Sequence, residues 1–222
     1  MKGVNIFLAD GFEDVEALAT NDVLRRGGVA TRLVALTDDP QVESSHGVFV
    51  TAEAFLPEID TRHDGTTAAD VMIFPGGMPG SKNLAACTPL IQLMREHYAA
   101  GGTVAAICAA PGLVLSQLGP EVLAGVKFTC FDGCQDATVA QGAVFTPAPA
   151  VRSGAGAGSY ATHGSGAAPA ASATPGSGVA PTAGRIITGR SAGHAVAFGL
   201  EILRALKGDA VADKVRHALY LD

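Results

Sequence analysis

TVAAICAAPGLVL, residues Thr103 to Leu115, decides the fold. TVAAI is an apolar run of strand length, and CAAPG that follows has almost no side chain besides the thiol and the proline ring. Pro111 then stands where a helix can begin, because the first helical N–H has no intrahelical partner to lose. GLVLSQL continues in helical fashion. A strand that passes through a tight elbow into a helix is the repeating unit of a parallel sheet with helices on its faces. Cys108 occupies the elbow. It is either a buried thiol acting as a small hydrophobe or a nucleophile held at a turn. The small neighbours that a sharp strand-to-helix elbow requires point to the second. A helix start with inward N–H groups would favour thiolate, with an expected pKa in the range of about 3.5 to 7.5.

The same alternation runs outward in both directions. VNIFLA (Val4–Ala9) reads as the first strand, followed by a helix over Glu13–Arg26 with Val15, Leu18, Ala19, Val23 and Leu24 at helical spacing, stopped by Gly27 and Gly28. Strands are expected at Ala30–Leu36, Val48–Thr51, Val71–Phe74, Thr103–Ile107, Val126–Cys130 and Arg185–Thr188. Helices are expected at Pro89–Ala100 and, closing the chain, from about Ser191 to Leu206. This order predicts an α/β fold, a flavodoxin-like, doubly wound, mostly parallel sheet sandwiched by helices. Ligands in such sheets bind outside the carboxyl ends of the strands.

One stretch breaks the pattern. From Val151 to Gly184, 26 of 34 residues are Gly, Ala, Ser or Pro, too little apolar surface to offset chain entropy. It reads as a flexible insertion at about 151–184 within a single domain spanning 1–222; as a lid it would have only Tyr160 and His163 to offer. A chain of 222 residues with a net charge of −6 offers no basic field for phosphates, so no nucleic-acid partner is expected. The apolar stretch between Lys2 and Asp10 is too short for a signal core or a membrane span, which predicts a soluble, cytoplasmic protein with no membrane partner. Four cysteines without a CxxC spacing give little support to disulfides or zinc.

Two further strand ends lie level with the elbow. FPGGMPGSKNL (Phe74–Leu84) sets a glycine pair where backbone N–H groups can approach a bound oxygen. DGFEDVEAL (Asp10–Leu18) places Glu13, Asp14 and Glu16 in the first turns of a helix. For Glu13 and Asp14, stabilisation of the helix start suffices. Glu16 shares a face with Phe12, Ala19 and Thr20, which makes it a carboxyl kept protonated by burial.

GFEDVE, PGGMPGSKNL, AAICAAPGLVL and the closing RIITGRSAGHAVAFGLEILRAL together resemble the DJ-1/ThiJ/PfpI superfamily, and within it the branch of the Parkinson-disease-linked protein deglycase. The resemblance implies a homodimer with an oxidation-sensitive nucleophile at Cys108 and a protonated acid at Glu16 that donates a hydrogen bond to it. It implies an oxyanion site from the backbone N–H groups of Gly77 and Ala109. It further implies a cofactor-free, metal-free glyoxalase or deglycase acting on a small aldehyde such as methylglyoxal, or on glycated adducts. The alternative is a redox sensor or chaperone working through oxidation of Cys108. Where family members carry a His near the cysteine, this chain has Phe131, so Glu16 would move protons alone. Cys130 matches a second family cysteine and is read as packing. His46 falls near the family's dimer contact, although an exposed loop position explains it equally; His194 stays ambiguous. Peptidases of the superfamily have a His where this chain has Ala109, and the amidotransferases' His-x-Glu does not occur, so both activities are disfavoured.

Overall fold

The computed structural model describes residues 1–154 and 184–221. In chain order the elements are β1 (Val4–Leu8), α1 (Asp14–Arg26), β2 (Thr31–Ala35), β3 (Gln41–Glu43), β4 (Phe49–Thr51), β5 (Ala54–Phe55), β6 (Val71–Phe74), α2 (Gly80–Ala86) and α3 (Thr88–Ala99). There follow β7 (Thr103–Ile107), α4 (Ala110–Leu113), α5 (Pro120–Leu123), β8 (Lys127–Phe128), α6 (Asp136–Ala140), β9 (Val144–Phe145), β10 (Ala150–Gly154), β11 (Arg185–Gly189), α7 (Ala195–Lys207) and α8 (Asp209–Ala218).

Seven strands form the main sheet in the order β10-β11-β7-β6-β1-β2-β5. Every pairing in it is parallel except β10 with β11. The strands alternate their large side chains between two cores, as a sheet covered on both faces must. Phe7, Met72, Phe74, Val104 and Ala106 pack on one side with α3 residues Leu90, Leu93 and Met94. Ile6, Leu8, Val71, Ile73, Ala105, Ile107 and Ile187 pack on the other with Val23 and Leu24 of α1 and Phe198 and Leu203 of α7. From β1 the chain winds outward through β2 in one direction and through β6, β7 and β11 in the other. The order therefore reverses between β1 and β6, and the crevice at such a switch point is where ligands bind.

Several expectations need correction. Val48–Thr51 is a strand, but β4 pairs only with β3, in an antiparallel hairpin outside the main sheet. The expected strand Val126–Cys130 shrinks to β8, which pairs with β9. The closing helix begins with a 3-10 turn at Ala192–His194 and is followed by α8. Val15 and Leu18 do not join the buried face of α1; they are 51% and 37% exposed, while Glu16, Ala17, Thr20, Val23 and Leu24 face inward. Residues Val151–Gly154 of the expected insertion form most of β10, held at the sheet edge by its ladder with β11. Residues 155–183 of that insertion, with Tyr160 and His163, lie outside the described residues. Among the described residues no helix is long and apolar enough to cross a membrane.

Candidate active site

Three strand ends converge on the switch point. The segment after β1 leads into α1, whose N-terminus is capped by Glu13: its Oε2 accepts from the Glu16 N–H at 2.8 Å. Capping fixes the first turn and turns the Glu16 side chain inward, where it is 1% exposed. The segment after β6 supplies Gly76, whose N–H donates to Glu16 Oε2 at 2.7 Å. The segment after β7 supplies Cys108, whose N–H continues the ladder to Gly189 O at 3.1 Å.

Cys108 has φ 64°, a left-handed conformation that a non-glycine residue adopts at a cost of about 1–2 kcal/mol. That strain turns the side chain off the line of β7. The thiol is partly buried and lies against the Glu16 carboxyl, with Cys108 Sγ 3.1 Å and Glu16 Oε2 2.6 Å from the point where a Cβ on Gly76 would stand, and the N–H groups of Gly77 and Ala109 favour its anion. Glu16 Oε1 is buried without a hydrogen-bond partner.

Gly76 is the spacer that allows the two groups to meet. A Cβ there would lie 2.6 Å from Cys108 Cβ, 2.6 Å from Glu16 Oε2 and 3.1 Å from Cys108 Sγ. At Gly77 (φ 89°) a side chain would run into the backbone of Gly11 and Glu13. Gly76→Ala is therefore expected to push carboxyl and thiol apart, at a stability cost of about 1–3 kcal/mol. Urea unfolding together with Cys108 alkylation rates measures both effects; unchanged alkylation would mean that the contact is not set at Gly76.

The electrostatics favour one shared proton. Burial pushes the Glu16 carboxyl up to about 7, against the hydrogen bonds from Cys108 and Gly76 that pull it down. The Cys108 thiol is also pushed up, by burial first and then by the charge of Glu16 and its hydrogen bond, against the pull of the Ala109 and Gly77 N–H groups. The expected depressed thiol pKa is thus corrected. The elbow leads into α4, a helix of only four residues, whose end charge is small beside a desolvated carboxylate. Loss of one proton leaves a carboxylate facing a thiol. Passing the remaining proton across the contact gives thiolate and carboxylic acid without any further change in charge.

The structure thus brings together all four expected site residues, Glu16, Gly77, Cys108 and Ala109. The expectation missed Gly76, although the same glycine pair signalled it. Cys130 is buried, donates to Phe131 O at 3.3 Å and has its thiol pushed up by burial, as a packing cysteine should. Phe131 donates its N–H to Cys108 O at 2.8 Å. His194 pairs with Ser191 Oγ at 3.0 Å. His46 is exposed and lies 2.9 Å from Asp14 Oδ1, which raises the imidazole pKa and lowers that of the carboxyl. Glu13, Asp14 and His46 bring three ligand-type atoms within 4.8 Å of one another, the one such group among the described residues. Glu13 is already engaged as the cap and Asp14 with His46, so their evident work is to fix the entry of α1.

A sequence model of the DJ-1/PfpI family matches residues 2–205. The chain belongs to that family. Protein DJ-1 homolog A of Arabidopsis thaliana is 29% identical over 99% of this chain and 47% of its own length. Parkinson disease protein 7 homolog of Danio rerio is 26% identical over 97% and 95%. A Caenorhabditis elegans relative named glutathione-independent glyoxalase is 30% identical over 47% of this chain and 53% of its own. The chain spans about half or less of the two Arabidopsis relatives, 28% of homolog B and 47% of homolog A. Among solved structures, a cysteine-to-alanine mutant of a Salmonella typhimurium DJ-1 superfamily protein superposes with TM-score 0.73 at 27% identity, covering 99% and 98% of the two chains. Oxidized Toxoplasma gondii DJ-1 superposes with TM-score 0.74 at 24% identity, covering 99% and 98%. These DJ-1 structures share the flavodoxin-like fold described above.

Proposed function

We propose that this DJ-1/PfpI member is a cysteine-dependent, cofactor-free glyoxalase or deglycase acting on 2-oxoaldehydes such as methylglyoxal, or on their adducts with amines. The observation that carries this is the buried Glu16 carboxyl against the Cys108 thiol at a strained elbow. The thiolate tautomer adds to the aldehyde carbon, and the carbonyl electron pair becomes a hemithioacetal oxygen, held by the N–H groups of Gly77 and Ala109 and protonated by the Glu16 acid. Glu16, now carboxylate, takes the proton from that carbon and returns it to the neighbouring carbon through an enediol, while the hydroxyl proton passes from the first oxygen to the second, leaving a thioester of the 2-hydroxy acid. Water cleaves the thioester and restores the thiol. Over the cycle one methylglyoxal and one water become lactic acid. Lactate formed from methylglyoxal by the native protein, with no thiol cofactor or metal added, tests this; a rate no greater than that of heat-denatured protein sinks it.

The same contact supports a second role. A protonated carboxyl and two N–H donors suit a sulfinate on Cys108, formed by two equivalents of peroxide that each transfer one oxygen and leave water. A stable gain of two oxygens on Cys108 in a protein without turnover would favour this role over the enzyme.

We infer further that the partner is a second copy of this chain. Val15 and Leu18 on α1 are exposed beside the β3–β4 hairpin, which is tied to the start of α1 through Ser45 N–H to Phe12 O at 2.8 Å and which exposes Val48 and Phe49. Covering these side chains offsets the cost of leaving them in water. Sedimentation is expected to give twice 22.3 kDa, and Val15→Asp with Leu18→Asp to give the monomer; a native monomer overturns the inference.

A further inference from the structure

We propose that Phe131 and Met78 form an apolar rim over the Cys108 thiol that selects 2-oxoaldehydes carrying an aryl or branched alkyl group, with Phe131 setting the preference. This rests on the role given above to Cys108 as the group that adds to the aldehyde, and it names the substrate class.

Scattered exposed hydrophobes need no explanation; one of these is hydrogen-bonded to the backbone of Cys108 and the other follows Gly77 in the chain. Phe131 is fastened by its N–H to the carbonyl of Cys108 at 2.8 Å, and Cys134 N–H closes the turn back onto Phe131 O at 3.0 Å. The backbone of Phe131 therefore cannot drift away from the elbow, yet the residue is 51% exposed. Met78 directly follows Gly77, whose N–H favours the Cys108 thiolate from the end of the neighbouring strand β6, and is 49% exposed. A rigid ring on one side and an unbranched, polarizable thioether on the other suit a flat apolar group.

The charged neighbours point the same way. Asp132, next to Phe131, is paired with Arg190 at 2.7 Å, and Arg190 is anchored after β11 by its N–H to Pro149 O at 3.1 Å. At the start of α1 His46 is paired with Asp14. Arg190 and His46 each face a carboxylate of their own, so neither is set to hold a phosphate or carboxylate on a substrate tail. The aldehyde end meets Cys108 and Glu16, and the far end meets carbon.

The test compares two alkylating reagents with the same reacting group, iodoacetamide and its N-phenyl derivative. In both the Cys108 sulfur bonds to the methylene carbon and iodide leaves, so the rate ratio reports only the phenyl group. Native Cys108 is expected to prefer the phenyl reagent by about tenfold relative to free cysteine, a difference of about 1.4 kcal/mol. Phe131→Ala should bring the ratio down to that of free cysteine, and Met78→Ala should lower it part of the way. A native ratio equal to that of free cysteine, or a preference that survives Phe131→Ala, overturns the proposal. In turnover, the ratio of kcat/KM for phenylglyoxal to that for methylglyoxal should fall about tenfold in Phe131→Ala. If neither aldehyde is consumed while the alkylation preference is present and lost in Phe131→Ala, the apolar rim stands and the aldehyde chemistry fails.

Discussion

Cys108→Ser is expected to lower lactate production from methylglyoxal by about three orders of magnitude or more, the loss seen when a covalent nucleophile is removed from an otherwise intact site. Serine keeps the size of the side chain and the strained φ of 64°, so the fold should survive and circular dichroism should match that of the native protein. A hydroxyl is far too weak an acid for Glu16 to share its proton. In the native protein, iodoacetamide labelling of Cys108 should rise with pH through about 7, where the Glu16 carboxyl ionises, rather than through the value of about 8.5 of a free cysteine. The reason is that the first proton lost from the pair creates the anion from which thiolate is drawn. A labelling curve centred at 8.5 or above, unmoved by changes at Glu16, would show that carboxyl and thiol titrate independently. Wild-type rates in Cys108→Ser would remove the nucleophile altogether.

Glu16→Gln should reduce turnover by about 10²–10⁴-fold, the usual contribution of a positioned acid or base, and at the same time stabilise the protein above neutrality. The sign follows from where the carboxyl titrates. Folding raises its pKa from the ordinary 4.5 of a free side chain to about 7, so its contribution to stability is fully present below 4.5 and is lost as pH rises through 7. At pH 8 the native protein carries a penalty of about 3 kcal/mol that an uncharged amide avoids. Glutamine can still accept the Gly76 N–H. Denaturant unfolding at pH 4 and pH 8 is the measurement, with the variant equal to native at pH 4 and more stable at pH 8. A difference that is the same at both values would mean that the carboxyl is not desolvated.

Sequence and structure agree best where burial is two-sided. β1, β6 and β7 are near-continuous apolar runs because both faces are covered, and with β2 and β11 they were legible to within one or two residues. Short elements were not: β5 has two residues and β9 two, too few for any period to show. β10 reads as AVRSG, so its composition merges with the Gly- and Ala-rich stretch that follows it. α8 does carry Ala212 and Val215 on its buried face, but Gly208 ahead of it passes for an end of chain structure. Of the site, the elbow, the glycine pair and the inward acid were legible from local sequence. The protonation of Cys108 was not, because it depends first on burial and then on a carboxyl, both of which only tertiary packing brings to the sulfur. Nor was the exposure of Val15 and Leu18, since helical periodicity counts apolar residues and cannot say which of them the core receives.

Glu16 follows β1 and Cys108 follows β7, with the spacer Gly76 arriving from β6 between them. Their meeting closes a long stretch of chain, an entropic cost recovered only when three separate strands have docked. Chemistry at this site is therefore a late event in folding, and recovery of turnover after dilution from denaturant should trail the recovery of helix signal. An assay for lactate doubles as a clock for assembly of the sheet.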